Sequence, residues 1–295
     1  MTTLPPGAAT SGPPGPAVAE SLAAAVPVDG SWSFAPVVLL ALAGYATVYT
    51  LRWRRVRAEA PGNPRAAGWG RLALWWAGLA GLAIALVSPV DRLGEQLATA
   101  HMVQHLLLAD LVPILFTLAL TKRILRPVTR HVHRIERAAG PFGHPAFGVV
   151  AYVGAMWLWH VPALYNAALE HPAVHVLEHF SFAAAGLLYW WHLLSPIRSR
   201  LRLGGLGPIL YMASTKILVG FLGVLLAFAP DVLYSFYEAG GERWGLSTLD
   251  DQQVAGLVMA LEQSLVMGVA LAYLFFRMLS ESEAEDQRAE RYGAV

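Results

Sequence analysis

From about residue 35 onward, apolar runs long enough to cross a membrane alternate with short polar connections. An α-helix rises about 1.5 Å per residue, so about 20 apolar residues span a hydrocarbon core of about 30 Å. Seven such runs can be drawn: Ala35 to Leu51, Arg71 to Val87, Leu97 to Thr121, Pro145 to Pro162, Pro172 to Leu194, Pro208 to Ala229 and Asp251 to Met278. The second stops at Ser88-Pro89, a helix-ending pair. The short fourth run is flanked by Trp157 and Trp159, as in an interfacial aromatic belt. The pattern predicts an all-α polytopic membrane bundle of seven transmembrane helices, over residues 35–280.

The two ends fall outside this pattern. Residues 1–34 are rich in Pro, Gly and Ala and carry no Lys or Arg, so no basic segment of a signal peptide precedes an apolar core. They read as a disordered extracytoplasmic tail, and residues 281–295 as an acidic, polar cytoplasmic tail.

Charge then orients the bundle. The connections after the first, third and fifth runs and the C-terminal tail, counted with Arg71 and Arg277 at the adjoining run ends, hold 18 basic residues, against Arg92 and Arg243 on the alternate side. Positive charge stays inside, which predicts an outer N-terminus and a cytoplasmic C-terminus in a bacterial cytoplasmic membrane. The alternate side also carries acidic residues such as Asp91, Glu95, Glu170, Glu238 and Asp250, and a face of that sign favours cations.

Composition agrees with the pattern: 56% of residues are hydrophobic, 14% are charged, and mean hydropathy is +0.48. This excludes an ordinary soluble domain. The net charge of +1 is uninformative about partners; membrane lipid is expected and nucleic acid is not. With no cysteine, disulfides and thiolate metal sites are excluded, leaving imidazole, carboxylate, thioether or backbone oxygen to hold a metal.

Histidines supply the chemistry. His101-Met-Val-Gln-His105 and His175-Val-Leu-Glu-His179 each place two imidazoles at i, i+4, on one helix face and about 6 Å apart along the axis. Both pairs open runs that enter from the outer side, and the fourth run leaves outward to end at His160. Five imidazoles are thus expected at one depth near the outer face. A lone His at a helix end is ordinarily an interfacial or hydrogen-bonded residue, but two matched pairs in an apolar setting point to a metal site.

An imidazole-rich set without thiolate suits copper, zinc or iron, and a thioether tilts the choice towards Cu(I). Met156, four residues before His160, and Met259 are the thioether candidates, against the commoner role of packing. Gln104 and Glu178 occupy equivalent places in the two motifs and are expected to orient the imidazoles. HVLEH also fits the HxxEH pattern of some zinc hydrolases, so a metal-dependent membrane enzyme is one alternative. Haem held between facing histidines is another, although no CxxCH attachment motif is present. Deeper in the bundle lie Asp110, Lys216 and Glu262, and matched depth predicts a Lys216 to Glu262 pair.

Several motifs occur together in order: Ser88-Pro89-Val-Asp91, His101-Met-Val-Gln-His105, the Trp157-to-His160 turn with Pro162-Ala-Leu-Tyr165, His175-Val-Leu-Glu-His179, Trp190-Trp191 and Asp251-Gln252-Gln253-Val-Ala-Gly256-Leu-Val-Met259. This succession resembles the bacterial CtaG family of seven-span cytochrome c oxidase assembly factors. The resemblance covers roughly residues 35 to 280. It implies a non-enzymatic role in maturing haem–copper oxidase, with oxidase subunits as partners and copper delivered from the outer side. It puts the family's histidine motifs on His101, His105, His160, His175 and His179, and its acidic and polar motifs on Asp91, Asp251 and Gln252. The single-span copper chaperone of the same name relies on cysteines and is a different protein.

Overall fold

A computed structural model describes residues 28–197, 203–240 and 242–293. Most of the N-terminal tail, the basic residues Arg198, Arg200 and Arg202, and the last two residues lie outside the described set. Among the described residues the chain is helical apart from connections and one isolated bridge between Arg243 and Leu246.

Seven long helical segments follow one another: α1 (Pro36–Glu59), α2 (Trp69–Leu86), α3 (Ala98–Ala119), α4 (Pro145–Trp159), α5 (Pro172–Leu194), α6 (Gly207–Ala227) and α7 (Thr248–Tyr292). Proline occupies the first helical turn of α1, α4, α5 and α6, where its missing N–H costs nothing and its fixed φ favours entry into a helix. The ends of α1 and α7 run past the expected apolar limits, because their charged continuations keep good helix formers and no proline interrupts them.

Among the described residues, five helices are long and apolar enough to cross a membrane: those within Pro36–Glu59, Pro64–Leu86, Ala98–Ala119, Gly207–Ala227 and Thr248–Ser280. A sixth crossing is added if α4 and the helix Pro162–Glu170, bent from it by 76°, form one broken span. α5 has the length, at 23 residues, but His175, Glu178, His179 and His192 lower its hydropathy. The chain is a multi-pass membrane protein on this evidence of its helices.

Its packing is that of a protein solvated by lipid. Large apolar side chains point outward, among them Val37, Phe180, Ile217 and Leu265, while His101, Gln104, His105, Asp110, Glu178, Lys216 and Gln263 are buried. α6 and α7 cross closely at two glycines: a Cβ on Gly223 would lie 2.8 Å from Ala260 N, and one on Gly256 would lie 2.7 Å from Gly223 O. The basic ends of α1, α2 and α3 join through a smaller cluster of Tyr49, Trp53, Val56, Ala119 and Ile124, in which the Tyr49 hydroxyl donates to Ala119 O at 2.8 Å.

One irregularity shapes everything below it. α3 is α-helical over Ala98–Leu106, widens to a π-turn over Leu107–Leu111, and resumes over Val112–Ala119. The Val112 amide donates to Leu107 O, an i to i−5 bond, so one extra residue is accommodated in that turn. In a uninterrupted α-helix the residue beneath His105 is Ala109; with the insertion it is Asp110.

Candidate metal centre

The two i, i+4 pairs face each other across α3 and α5. His101 and His105 ring centroids are 4.2 Å apart, His175 and His179 are 4.1 Å apart, and across the interface His101 lies 5.4 Å from His175 and 5.9 Å separates His105 from His179. His160, at the C-terminal end of α4, brings its ring to 5.8 Å from His105. All five imidazoles therefore meet at one end of the bundle.

The tightest grouping is His101, His105, His179 and Glu178: each offers one ligand atom, and those four atoms lie within 4.8 Å of one another. Glu178 Oε2 is 3.3 Å from His101 Nε2, and Glu178 Oε1 is 3.4 Å from His105 Nε2. Neither contact has hydrogen-bond geometry, so both carboxylate oxygens and both ring nitrogens of each of these two histidines are left without partners. His160 Nε2, His175 Nε2 and His179 Nε2 are likewise unpartnered. Burying so many polar atoms unsatisfied is costly, at about 1–3 kcal/mol each.

A first-row metal held there would resolve that cost. Metal bonds of 2.0–2.2 Å to imidazole and carboxylate place tetrahedral ligand atoms roughly 3.3–3.5 Å apart, and the two His–Glu separations lie at that spacing. The donor set fits a metal on these grounds. His160 contributes a defined tautomer: Nδ1 donates to Met156 O at 2.6 Å, so Nε2 carries the lone pair directed into the cluster.

The residues around the cluster have other duties. Gln104 turns away from it, donating to Ala85 O at 2.8 Å and Asp91 Oδ1 at 3.1 Å, and Asp91 also accepts from Ser33 Oγ at 2.5 Å. Asp251 accepts the amides of Ala98 at 2.6 Å and Thr99 at 3.1 Å, capping α3 from the head of α7. Gln252 accepts from the Leu233 amide at 2.7 Å and donates to Asp231 O at 3.2 Å, pinning the α6–α7 connection. These contacts set helix ends and loops, while Glu178, expected to orient imidazoles, instead presents its carboxylate among the ligand atoms. Met156 and Met259 are fully buried in the main apolar core.

Aromatic residues that were not singled out for the site enclose it. Tyr165 packs 5.1 Å from the His101 ring and stacks on Tyr234 at 3.7 Å, its hydroxyl 3.5 Å from that of Tyr237. Phe182, buried in the main core, lies 4.3 Å from His105. Tyr165 ends the Pro162-Ala-Leu-Tyr165 motif, which was the available signal; Tyr234 and Tyr237 had none.

The expected pair of Lys216 with Glu262 is corrected by the structure. Lys216 Nζ contacts Asp110 Oδ1 at 2.8 Å and the Tyr152 hydroxyl at 3.2 Å, and among the described residues it makes no ion pair with Glu262. Depth alone had matched it to Glu262, whereas the π-turn rotates Asp110 into the bundle axis where α6 presents the ammonium.

Fold and site together define a polytopic membrane protein built around a buried, cysteine-free imidazole–carboxylate cluster. The chain belongs to the cytochrome c oxidase caa3 assembly factor family, Caa3_CtaG, which matches residues 47–281. Members of such a family serve the assembly of the oxidase, a non-enzymatic role. No curated protein and no solved structure matches the chain.

Proposed function

We propose that the protein binds copper as cargo at its extracytoplasmic end and passes it to a haem–copper cytochrome c oxidase during assembly. The observation that carries the reading is the buried convergence of His101, His105, Glu178 and His179, whose ligand atoms lack other partners. His160 and His175 extend that set by two further free nitrogens at its edge, which gives an ion a stepwise route of exchange between ligand subsets. Imidazole and carboxylate hold the ion without fixing it as tightly as thiolate, and that suits a carrier.

The same reading includes seven spans, with α5 as a crossing helix and the bent pair α4 and Pro162–Glu170 contributing one, in the bacterial cytoplasmic membrane. The N-terminus is outside and the C-terminus cytoplasmic, supported by the distribution of Lys and Arg. The absence of native cysteine makes this directly measurable: single cysteines placed in the α2–α3 and α6–α7 connections react with a membrane-impermeant maleimide in intact cells, and those in the α3–α4 connection do not.

The decisive experiment is metal content by mass spectrometry after loading with Cu(I), Cu(II), zinc or iron. Wild type is compared with the double variants His101→Ala/His105→Ala and His175→Ala/His179→Ala. Stoichiometric copper in the wild type, lost in both variants, supports the reading, and co-purification with oxidase subunits then tests transfer. Binding that survives both variants, or no metal in the wild type, overturns it.

A further inference from the structure

Below the histidines the bundle holds a second polar centre that copper handling does not use. Asp110, on the π-turn of α3, accepts four hydrogen bonds: from Tyr152 Oη of α4 at 2.5 Å, Trp190 Nε1 of α5 at 2.8 Å, Lys216 Nζ of α6 at 2.8 Å and Gln263 Nε2 of α7 at 3.0 Å. Five helices thus converge on one carboxylate. The same Gln263 amide nitrogen donates at 2.5 Å to Glu262 Oε2, so a single NH2 group bridges two carboxyl groups. Gln263 Oε1 and the Tyr189 hydroxyl are buried there without partners.

Charge does not balance. Two carboxyl groups share one ammonium, and Tyr152, Tyr189, Trp190 and Gln263, which complete the surroundings, are neutral. A net negative charge within the hydrocarbon is costly, and one proton removes it. Asp110 has four donors against it, one of them the Lys216 ammonium, whereas Glu262 receives a single amide N–H. Glu262 is only half-buried, flanked on α7 by outward-facing Leu261 and Leu265, so an ionised carboxylate there would also face hydrocarbon.

We infer that Asp110, Lys216, Gln263 and Glu262 form an intramembrane proton-binding site, occupied by one exchangeable proton carried on Glu262. The site is independent of the metal centre, and its test uses metal-free protein, so the failure of either reading leaves the other standing.

The protein is prepared with 13C-carboxyl-labelled glutamate in lipid nanodiscs and measured by infrared difference spectroscopy. Expected at neutral pH is one protonated-carboxyl C=O band that moves with the label, shifts in D2O, fades as pH is raised, persists in Glu178→Gln and is lost in Glu262→Gln. Should Glu262→Gln fail to fold, Glu262→Asp keeps the carboxyl but takes the band out of the labelled set. The thermal midpoint supplies a second readout: alkaline pH removes the proton and lowers the stability of the wild type, whereas Glu262→Gln, which mimics the protonated side chain, stays flat over the same range. A wild-type spectrum without the band, or a labelled band that survives Glu262→Gln, overturns the inference.

Discussion

The carboxylate of Asp251 accepts the backbone N–H of Ala98 at 2.6 Å, a bond between residues 153 positions apart that caps the histidine-bearing helix from the start of the last one. The Leu97 side chain at the cap position of α3 has no oxygen to offer, so this end of the helix depends on a residue of α7. Asp251→Ala is expected to cost about 0.5–2 kcal/mol, the range of lost N-terminal caps. Copper affinity should fall as well, although no ligand is removed, because His101 lies in the first turn of that helix. Asp251→Asn should retain most of both. Thermal unfolding and metal titration, run side by side, separate the two effects.

Metal binding and protonation compete for the same imidazole nitrogens. An imidazole must be neutral to bind a metal, so acid would compete with an ion for the same nitrogens. Copper occupancy should therefore decline as pH is lowered, more steeply than for one proton, since several histidines must be freed together. Occupancy measured by mass spectrometry after equilibration at a series of pH values checks this, and a flat profile would exclude imidazole ligation.

Breaking the Asp110–Lys216 pair leaves a charge without its partner in the membrane interior. Lys216→Met should destabilise the protein by about 3–5 kcal/mol, the usual cost of orphaning one member of a buried pair. Asp110→Asn/Lys216→Met should recover much of that loss, since no charge remains. A double-mutant cycle of thermal or denaturant unfolding measures the coupling, and additive losses would mean that the two residues act separately.

Gly186 of α5 passes directly against the backbone of Ala109 in the π-turn; a Cβ there would fall within 2.8 Å of Ala109 C. Backbone on one side cannot swing away as a flexible side chain would. Gly186→Ala should lower stability by about 1–3 kcal/mol, as overpacking does, and weaken copper binding because α3 and α5 both carry ligands. Gly154→Ala, where a Cβ would meet nothing within 4 Å, is the control expected to have little effect.

Much of this arrangement was legible in the sequence, and the reason is periodicity. Apolar runs located the long helices, and the i, i+4 spacing placed His101 with His105 and His175 with His179 on shared faces whatever the helices packed against. What escaped was lateral. Depth along an axis is countable, but which helices are neighbours is not, so Lys216 was matched to Glu262 rather than to Asp110. Counting also assumed a uniform rise, and no residue between Leu107 and Leu111 announces a π-turn. The resemblance put acidic and polar motifs on Asp91, Asp251 and Gln252 without saying what they touch; their contacts with backbone groups and with Gln104 exist only once the chain is folded.

The π-turn bears on how this helix can change. An extra residue turns everything after it by about 100°, so α3 is in effect two half-helices read in different frames. The N-terminal frame aims His101 and His105 at α5, and the C-terminal frame aims Asp110 at α6 and α7. Deleting one residue between Leu107 and Ala109 would close the turn into regular α-helix and leave the carboxylate four residues after His105, still beneath it. A single-residue gap is therefore absorbed at this point, whereas the same gap elsewhere in α3 would change which side chains face α5, α6 and α7.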